Sequence, residues 1–133
     1  DQEALLAVNG LYRILHRGSL YQTRGLDNYY SYGADVVGPS RNVNGQIVNY
    51  LIDEGVADGN NTWGACYEIV RNASLSITNL DGNEKLSEPI RNQTLGEAYF
   101  MRALAYFHLT NLWGNVPYFR ELLSLNELGT LEG

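Results

Sequence analysis

The 133 residues carry a formal net charge of −6 and are 44% hydrophobic, which suits one domain with a modest core. An acidic chain without a basic run argues against nucleic acid, because phosphate neutralisation needs clustered Lys and Arg. The single cysteine, Cys66, leaves no disulfide framework within the chain. Ten tyrosines stand against three Phe and two Trp; a tyrosine offers a flat apolar face with a polar tip, suited to stacking on sugars or to a wet helix boundary.

Residues 1–17 read as a helix. Asp1 can serve as N-cap, Glu3 suits the first turn, and Ala4, Val8, Leu11 and Leu15 recur at helical spacing. His16 and Arg17 fall in the last turn, and Gly18 is the expected residue after it.

Residues 18–61 differ in kind. Gly18, Gly25, Gly33, Gly38, Gly45, Gly55 and Gly59, with Pro39, break any long periodicity, and only Gln46 to Ile52 looks regular. A stretch this long without clear structure is usually functional or disordered, and its tyrosines favour the first. Sugars present apolar C–H faces and many hydroxyls, so their sites pair aromatic platforms with Asn, Arg and Asp. The candidate ligand residues are therefore Tyr29, Tyr30, Tyr32, Arg41, Asn42, Tyr50, Asn60 and Asn61. The competing reading is that these tyrosines pack the loop onto the helices.

Residues 62–80 read as a second main helix, capped by Asn61 or Thr62. Trp63, Cys66, Tyr67, Val70, Ser74 and Ile77 share one face. Asp81-Gly82-Asn83 ends it, and Pro89 marks a loop to the next helix.

The most decided stretch is Thr94 to Tyr118. Thr94 and Glu97 stand in the spacing of a capping box, Ala98, Ala103 and Ala105 favour helix, and Gly114 with Pro117 marks its end. Glu97, Arg102, His108, Thr110 and Asn111 are its only polar residues from Gly96 to Trp113, so the helix is expected to be buried on more than one side, between partner helices. Four of those five are charged or strongly polar, against a membrane span. Residues 119–133 form a ragged leucine pattern (Leu122, Leu123, Leu125, Leu128, Leu131) that reads as a truncation.

Gly96 to Tyr118, GEAYFMRALAYFHLTNLWGNVPY, closely resembles the signature of the SusD/RagB family. There a helix reading roughly G-E-A-x-F-L-R-A-x-x-Y-F-x-L is followed by an aromatic, a glycine and V-P. The match takes in Gly96, Glu97, Ala98, Phe100, Arg102, Ala103, Tyr106, Phe107, Leu109, Gly114, Val116 and Pro117. Trp63, Tyr67 and Val70 resemble the W-x-x-x-Y-x-x-I of the same family, whose following alanine-asparagine is here Ala73-Ser74. Trp63, Tyr67, Glu97, Arg102, Tyr106, Gly114 and Pro117 are read as structural positions of the motif.

The resemblance implies an all-α array with tetratricopeptide-like helix packing and a long irregular segment between the first two main helices. Leu95-Gly96 and Tyr99 match the core of a tetratricopeptide helix, but Ala103 and Phe107 sit too early for a true repeat. It further implies a glycan-binding lipoprotein of the bacterial outer-membrane surface that passes oligosaccharide to a SusC-like TonB-dependent porin. The chain would be the N-terminal part of such a protein, reaching the membrane only through a lipid anchor that lies outside it. The family is a binding module, not an enzyme, and some relatives handle peptides. A protein-interaction scaffold without a sugar ligand is the main rival.

Chemistry beyond binding finds little support in the residues. His16 and His108 lie far apart with no second ligand at metal spacing, so no metal or cofactor is expected. Cys66 lies on an apolar helix face, where a thiol behaves as a small hydrophobe. Asp53, Glu54 and Asp58 read as a solvated acidic turn rather than a catalytic carboxylate pair. Arg102 is expected to cover apolar surface with its stem while its guanidinium stacks on Tyr106 or pairs with a carboxylate.

Overall fold

The computed structural model describes residues 1–17, 20–21, 25–34 and 57–119. Among them the structure is helical and without strands: α1 (Gln2–Leu15), α2 (Leu26–Gly33), α3 (Ala57–Leu80) and α4 (Glu88–Trp113). The all-α expectation holds. Two compact units divide the chain, one of residues 1–11 with those from Ile69 onward, the other Tyr12–Glu68.

α1 buries Ala4, Val8 and Leu11 of the stripe its spacing predicts, with Ile14 covered in place of the expected Leu15, which is only half-buried. The carbonyl of Asp1 accepts from the Leu5 amide at 3.2 Å, so the helix opens where expected. Its carboxylate has a different task. One oxygen accepts from the Ser87 amide at 3.0 Å and the other from the Ser87 hydroxyl at 2.9 Å. The start of α1 is thereby tied to the residue that caps α4.

α3 begins at Ala57, not at Asn61 or Thr62. Thr62 is fully buried inside the helix and cannot be its cap. Asp58-Gly59-Asn60-Asn61 looks like a breaker, yet first-turn amides have no intrahelical acceptor in any case, and a glycine there costs only about 1 kcal/mol. From Cys66 the buried positions Ile69, Val70, Ala73, Ile77 and Leu80 follow the helical period. Gly82, at φ +67°, takes the left-handed turn that the sequence predicts, and the Asp81 amide closes on the Ile77 carbonyl at 2.9 Å.

α4 starts well before Thr94. Ser87 is its N-cap, Glu88 lies in the first turn, and Pro89 sits inside that turn instead of in a loop. A first-turn proline loses no helical hydrogen bond, and its fixed φ already suits a helix. The capping-box expectation for Thr94 and Glu97 is therefore wrong. Thr94 is buried in mid-helix, its hydroxyl donating back to Ile90 O at 2.7 Å, while Glu97 accepts from Gln93 Nε2 at 2.8 Å. At 26 residues the helix is about 39 Å long.

The burial of α4 is one-sided, which corrects a second expectation. Thr94, Ala98, Met101, Ala105 and His108 are buried, alternating four and three residues apart, with Leu109 beside the last. Tyr99, Phe100 and Phe107 are exposed on other faces. In the first unit, Ala4 and Val8 of α1 join Leu80 of α3 in a core against which Leu86, Ile90 and Leu95 pack. Among the described residues, partner helices cover one stripe, and Tyr99, Phe100 and Phe107 on the opposite flank are exposed. No helix among the described residues is long and apolar enough to cross a membrane.

Met101 and Leu109 are the largest side chains on the α4 stripe, and both are wholly covered. Met101→Ala is expected to destabilise the chain by about 2–5 kcal/mol, read from the urea midpoint. Burial also lowers the pKa of His108 below its ordinary 6.5. The unfolded chain then binds the proton more readily, so this contribution is complete above pH 6.5 and declines as pH falls through that value toward the folded pKa. Urea midpoints between pH 7.5 and about 5 should fall more for the native protein than for His108→Gln.

Candidate functional site

The aromatic segment is built on α2, and its geometry starts with backbone anchors. The Leu20 amide donates to Arg17 O at 3.0 Å, the Tyr21 amide to Leu15 O at 3.3 Å and the Leu26 amide to Leu20 O at 2.7 Å. These bonds fold the chain back after α1, and Leu20 and Leu26 are buried beneath it. The Arg17 guanidinium pairs with the Glu68 carboxylate of α3; with both side chains partly in water, such a pair contributes little beyond placement.

On this base the adjacent tyrosines part company. Tyr29 is 8% exposed and belongs to the core, whereas Tyr30 is 41% exposed. Neighbours on a helix point about 100° apart, so one helix cannot present both rings to the same side. Burial withdraws the face of Tyr29 from any ligand platform. Tyr32 lies on α2, Asn60 on α3 and Asn61, exposed, one residue further. Arg41, Asn42 and Tyr50 lie outside the described residues, as do Asp53 and Glu54. Two further exposed rings, Tyr12 and Tyr21, belong to the same unit and were not among the candidates. Tyr12 follows directly on the buried Leu11, a one-residue offset that already turns it away from the stripe.

The motif residues do structural work. Trp63 and Tyr67, one turn apart on α3, pack with ring centroids 4.9 Å apart and a tilt of 51°. The Arg102 guanidinium lies over Tyr99, 5.4 Å from its centroid, and donates to Ser74 Oγ at 3.3 Å. The guanidinium thus has Tyr99 as an aromatic partner, and it also acts electrostatically on Tyr106. Ser74, buried on α3, supplies an acceptor to α4.

At the end of α4 the Gly114 amide closes on Thr110 O at 2.9 Å, and its φ of +76° with ψ of −117° is a conformation open to glycine alone. The chain then doubles back. Tyr106 Oη accepts from the Phe119 amide at 2.7 Å and donates to Phe119 O at 3.4 Å, and its ring packs on Tyr118 at 5.0 Å. Burial raises the Tyr106 pKa above 10, which keeps the phenol protonated and able to do both.

The remaining groups offer no reactive constellation among the described residues. Cys66 is fully buried and its thiol is pushed up to about 12 by that burial, far from a nucleophile at neutral pH. Among the described residues no three of His, Cys, Asp and Glu gather as metal ligands would. A cavity of about 300 Å³ lies in the first unit, its lining including Glu3, Ala4, Ala7, Leu75, Asn79 and Leu80.

Comparison with known proteins bears on this arrangement of motif residues. A SusD-like family model, described as starch-binding associating with outer membrane, matches residues 20–126. The chain belongs to the SusD-like family. The SusD-like protein P25 of Formosa agariphila is 39% identical over 140 aligned positions, covering 98% of the chain. The chain spans 27% of the length of that relative. No solved structure matches the chain. SusD-like proteins are binding proteins, associated with the outer membrane and with starch.

The Tyr106 clamp has a direct test. Tyr106→Phe removes the acceptor of the Phe119 amide and should destabilise the chain by about 1 kcal/mol. In hydrogen exchange the Phe119 amide should lose its protection while the amides of the α4 interior keep theirs.

Proposed function

We propose that the chain is the N-terminal part of a longer SusD-like protein that captures glycan at the bacterial cell surface. The full-length protein is lipid-anchored in the outer membrane and hands oligosaccharide to a SusC-like TonB-dependent porin, without catalysis. The observation that carries this reading is the match of the starch-binding, outer-membrane family over residues 20–126. The exposed rings of the second unit add to it. Tyr12, Tyr21 and Tyr30 offer faces of the kind that pyranose C–H surfaces stack on. Tyr30 is pinned by α2 and its anchors, which lowers the entropy lost when it is covered. Tyr32, Arg41, Asn42, Tyr50, Asn60 and Asn61 complete the proposed surface, the polar members bonding to sugar hydroxyls.

A second reading has one observation in its favour. Tyr29 is buried, as a protein-interaction scaffold requires of its tyrosines, and the exposed aromatic rings of α4 suit a protein contact better than a sugar. A peptide ligand belongs to the same class.

Affinity electrophoresis of the full-length protein against a panel of glycans separates the readings. Retardation by at least one glycan is expected, with Tyr30→Ala weakening it by about 3- to 10-fold. No retardation on any glycan would favour the scaffold. New reducing ends on incubation with a retarding glycan would overturn the non-enzymatic assignment.

A further inference from the structure

The cavity of the first unit stands apart from the aromatic segment, and every residue that lines it belongs to that unit. Small side chains leave the space. Ala4 and Ala7 lie three residues apart on α1, and with Leu75 and Leu80 of α3 they enclose about 300 Å³. That is the low end of the range for ligand pockets, with room for one or two side chains. The lining reaches the surface at Glu3, Ala7, Leu75 and Asn79, all exposed.

The wall formed by the turn between α3 and α4 is fixed by hydrogen bonds. Asn83 accepts from the Lys85 amide through Oδ1 at 3.1 Å and donates through Nδ2 to Asn79 O at 3.3 Å. Its own amide donates to Leu80 O at 3.2 Å, and its carbonyl accepts from the Leu86 amide at 3.3 Å. From the α1 side, Asp1 holds Ser87, the neighbour of Leu86. A cavity held in this way exists before anything enters it, so little order is lost on binding. With Asn83 engaged, the lining offers an occupant mostly carbon, from Ala4, Ala7, Leu75, Leu80 and Leu86, and one charge, Glu3.

The surrounding charge is mainly of one sign. Asp81 and Glu84 stand with Lys85 in the turn between Leu80 and Leu86. Among the described residues the carboxylates of Glu3, Asp81 and Glu84 have no hydrogen-bond or ion-pair partner. Asp1, by contrast, is engaged by Ser87, and Arg91 donates to Asn83 O. The end of α3 adds to this field. Its last turn, which brings Asn79 and Leu80 to the cavity, contains no basic residue and is the negative pole of a 24-residue helix. An apolar cleft beside a carboxylate and a helix C-terminus is complementary to a long alkyl stem that ends in a cation.

We propose that this cavity takes a basic side chain, lysine or arginine, flanked by apolar residues in a segment of another polypeptide. The methylene stem lies on Ala4, Ala7 and Leu75, and the cation meets the Glu3 carboxylate. The site is independent of the proposed glycan surface, whose tyrosines belong to the other unit.

The probe is the peptide acetyl-Leu-Lys-Leu-amide with one leucine replaced by its diazirine analogue, photo-crosslinked to the full-length protein and mapped by mass spectrometry. Crosslinks are expected within residues 3–7 and 75–86. Half-saturation should come at a concentration about 2- to 5-fold lower than for the same peptide with norleucine in place of lysine. Glu3→Gln should remove that difference and leave the norleucine peptide unchanged. Ala7→Leu exchanges one strong helix former for another at an exposed position while filling the space. It should reduce crosslinking at both stretches at least about tenfold. Equal half-saturation for the lysine and norleucine peptides, or crosslinks that Ala7→Leu leaves in place, would overturn the proposal. So would a cavity closed to both peptides by a second copy, seen as self-association in sedimentation, or by the rest of the polypeptide in a monomer. Glycan electrophoresis of the Ala7→Leu protein is expected to match that of the unsubstituted one, so the two proposals stand or fall separately.

Discussion

The first unit depends on one seam, the buried stripe of α4 from Thr94 to Leu109. Its small members, Ala98 and Ala105, let helices approach closely, while Met101 and Leu109 fill the space between. Packing of this kind is more stabilising than the intrinsic preference of any helix, since short helices are marginal on their own. The seam explains where the other contacts fall. Arg102, on its border, is near enough to α3 to reach Ser74, and Leu95 and Ile90 meet the core that α1 and α3 share.

The motif that marks the family is largely a device for ending this helix. Gly114 adopts a backbone conformation that any side chain would oppose, and Tyr106 holds the returning chain by both polar atoms of Phe119. Tyr118 then rests on Tyr106, so a hydrogen-bonded clamp and a ring contact share one residue. The motif positions that carry the family resemblance serve the architecture of this helix and its return turn.

Burial is what separates the two classes of aromatic residue. Trp63 and Tyr67 are half-buried and stack on each other, while Tyr30, one residue from the buried Tyr29, turns its face outward. A single residue of offset on α2 is enough to send one phenol into the core and the next into solvent. Composition shows that tyrosine is abundant; it does not show which rings the helix points out.

The sequence by itself determined the all-α class, most of the α1 stripe, the ends of α3 and α4 at Leu80 and Trp113, and the family, because local periodicity and the glycines after each helix are written in neighbouring residues. Tertiary structure alone decided where α3 and α4 begin, since first-turn residues such as Asp58, Gly59 and Pro89 are compatible with helix or loop until something packs on the turns that follow. It also decided that Thr94 is a buried residue bonded to its own helix, not a cap, and that Arg102 meets Tyr99. The exposure of Tyr99, Phe100 and Phe107 on α4 was hidden for the same reason. An apolar side chain reports that it can be buried, but only the number and direction of partner helices decide whether it is.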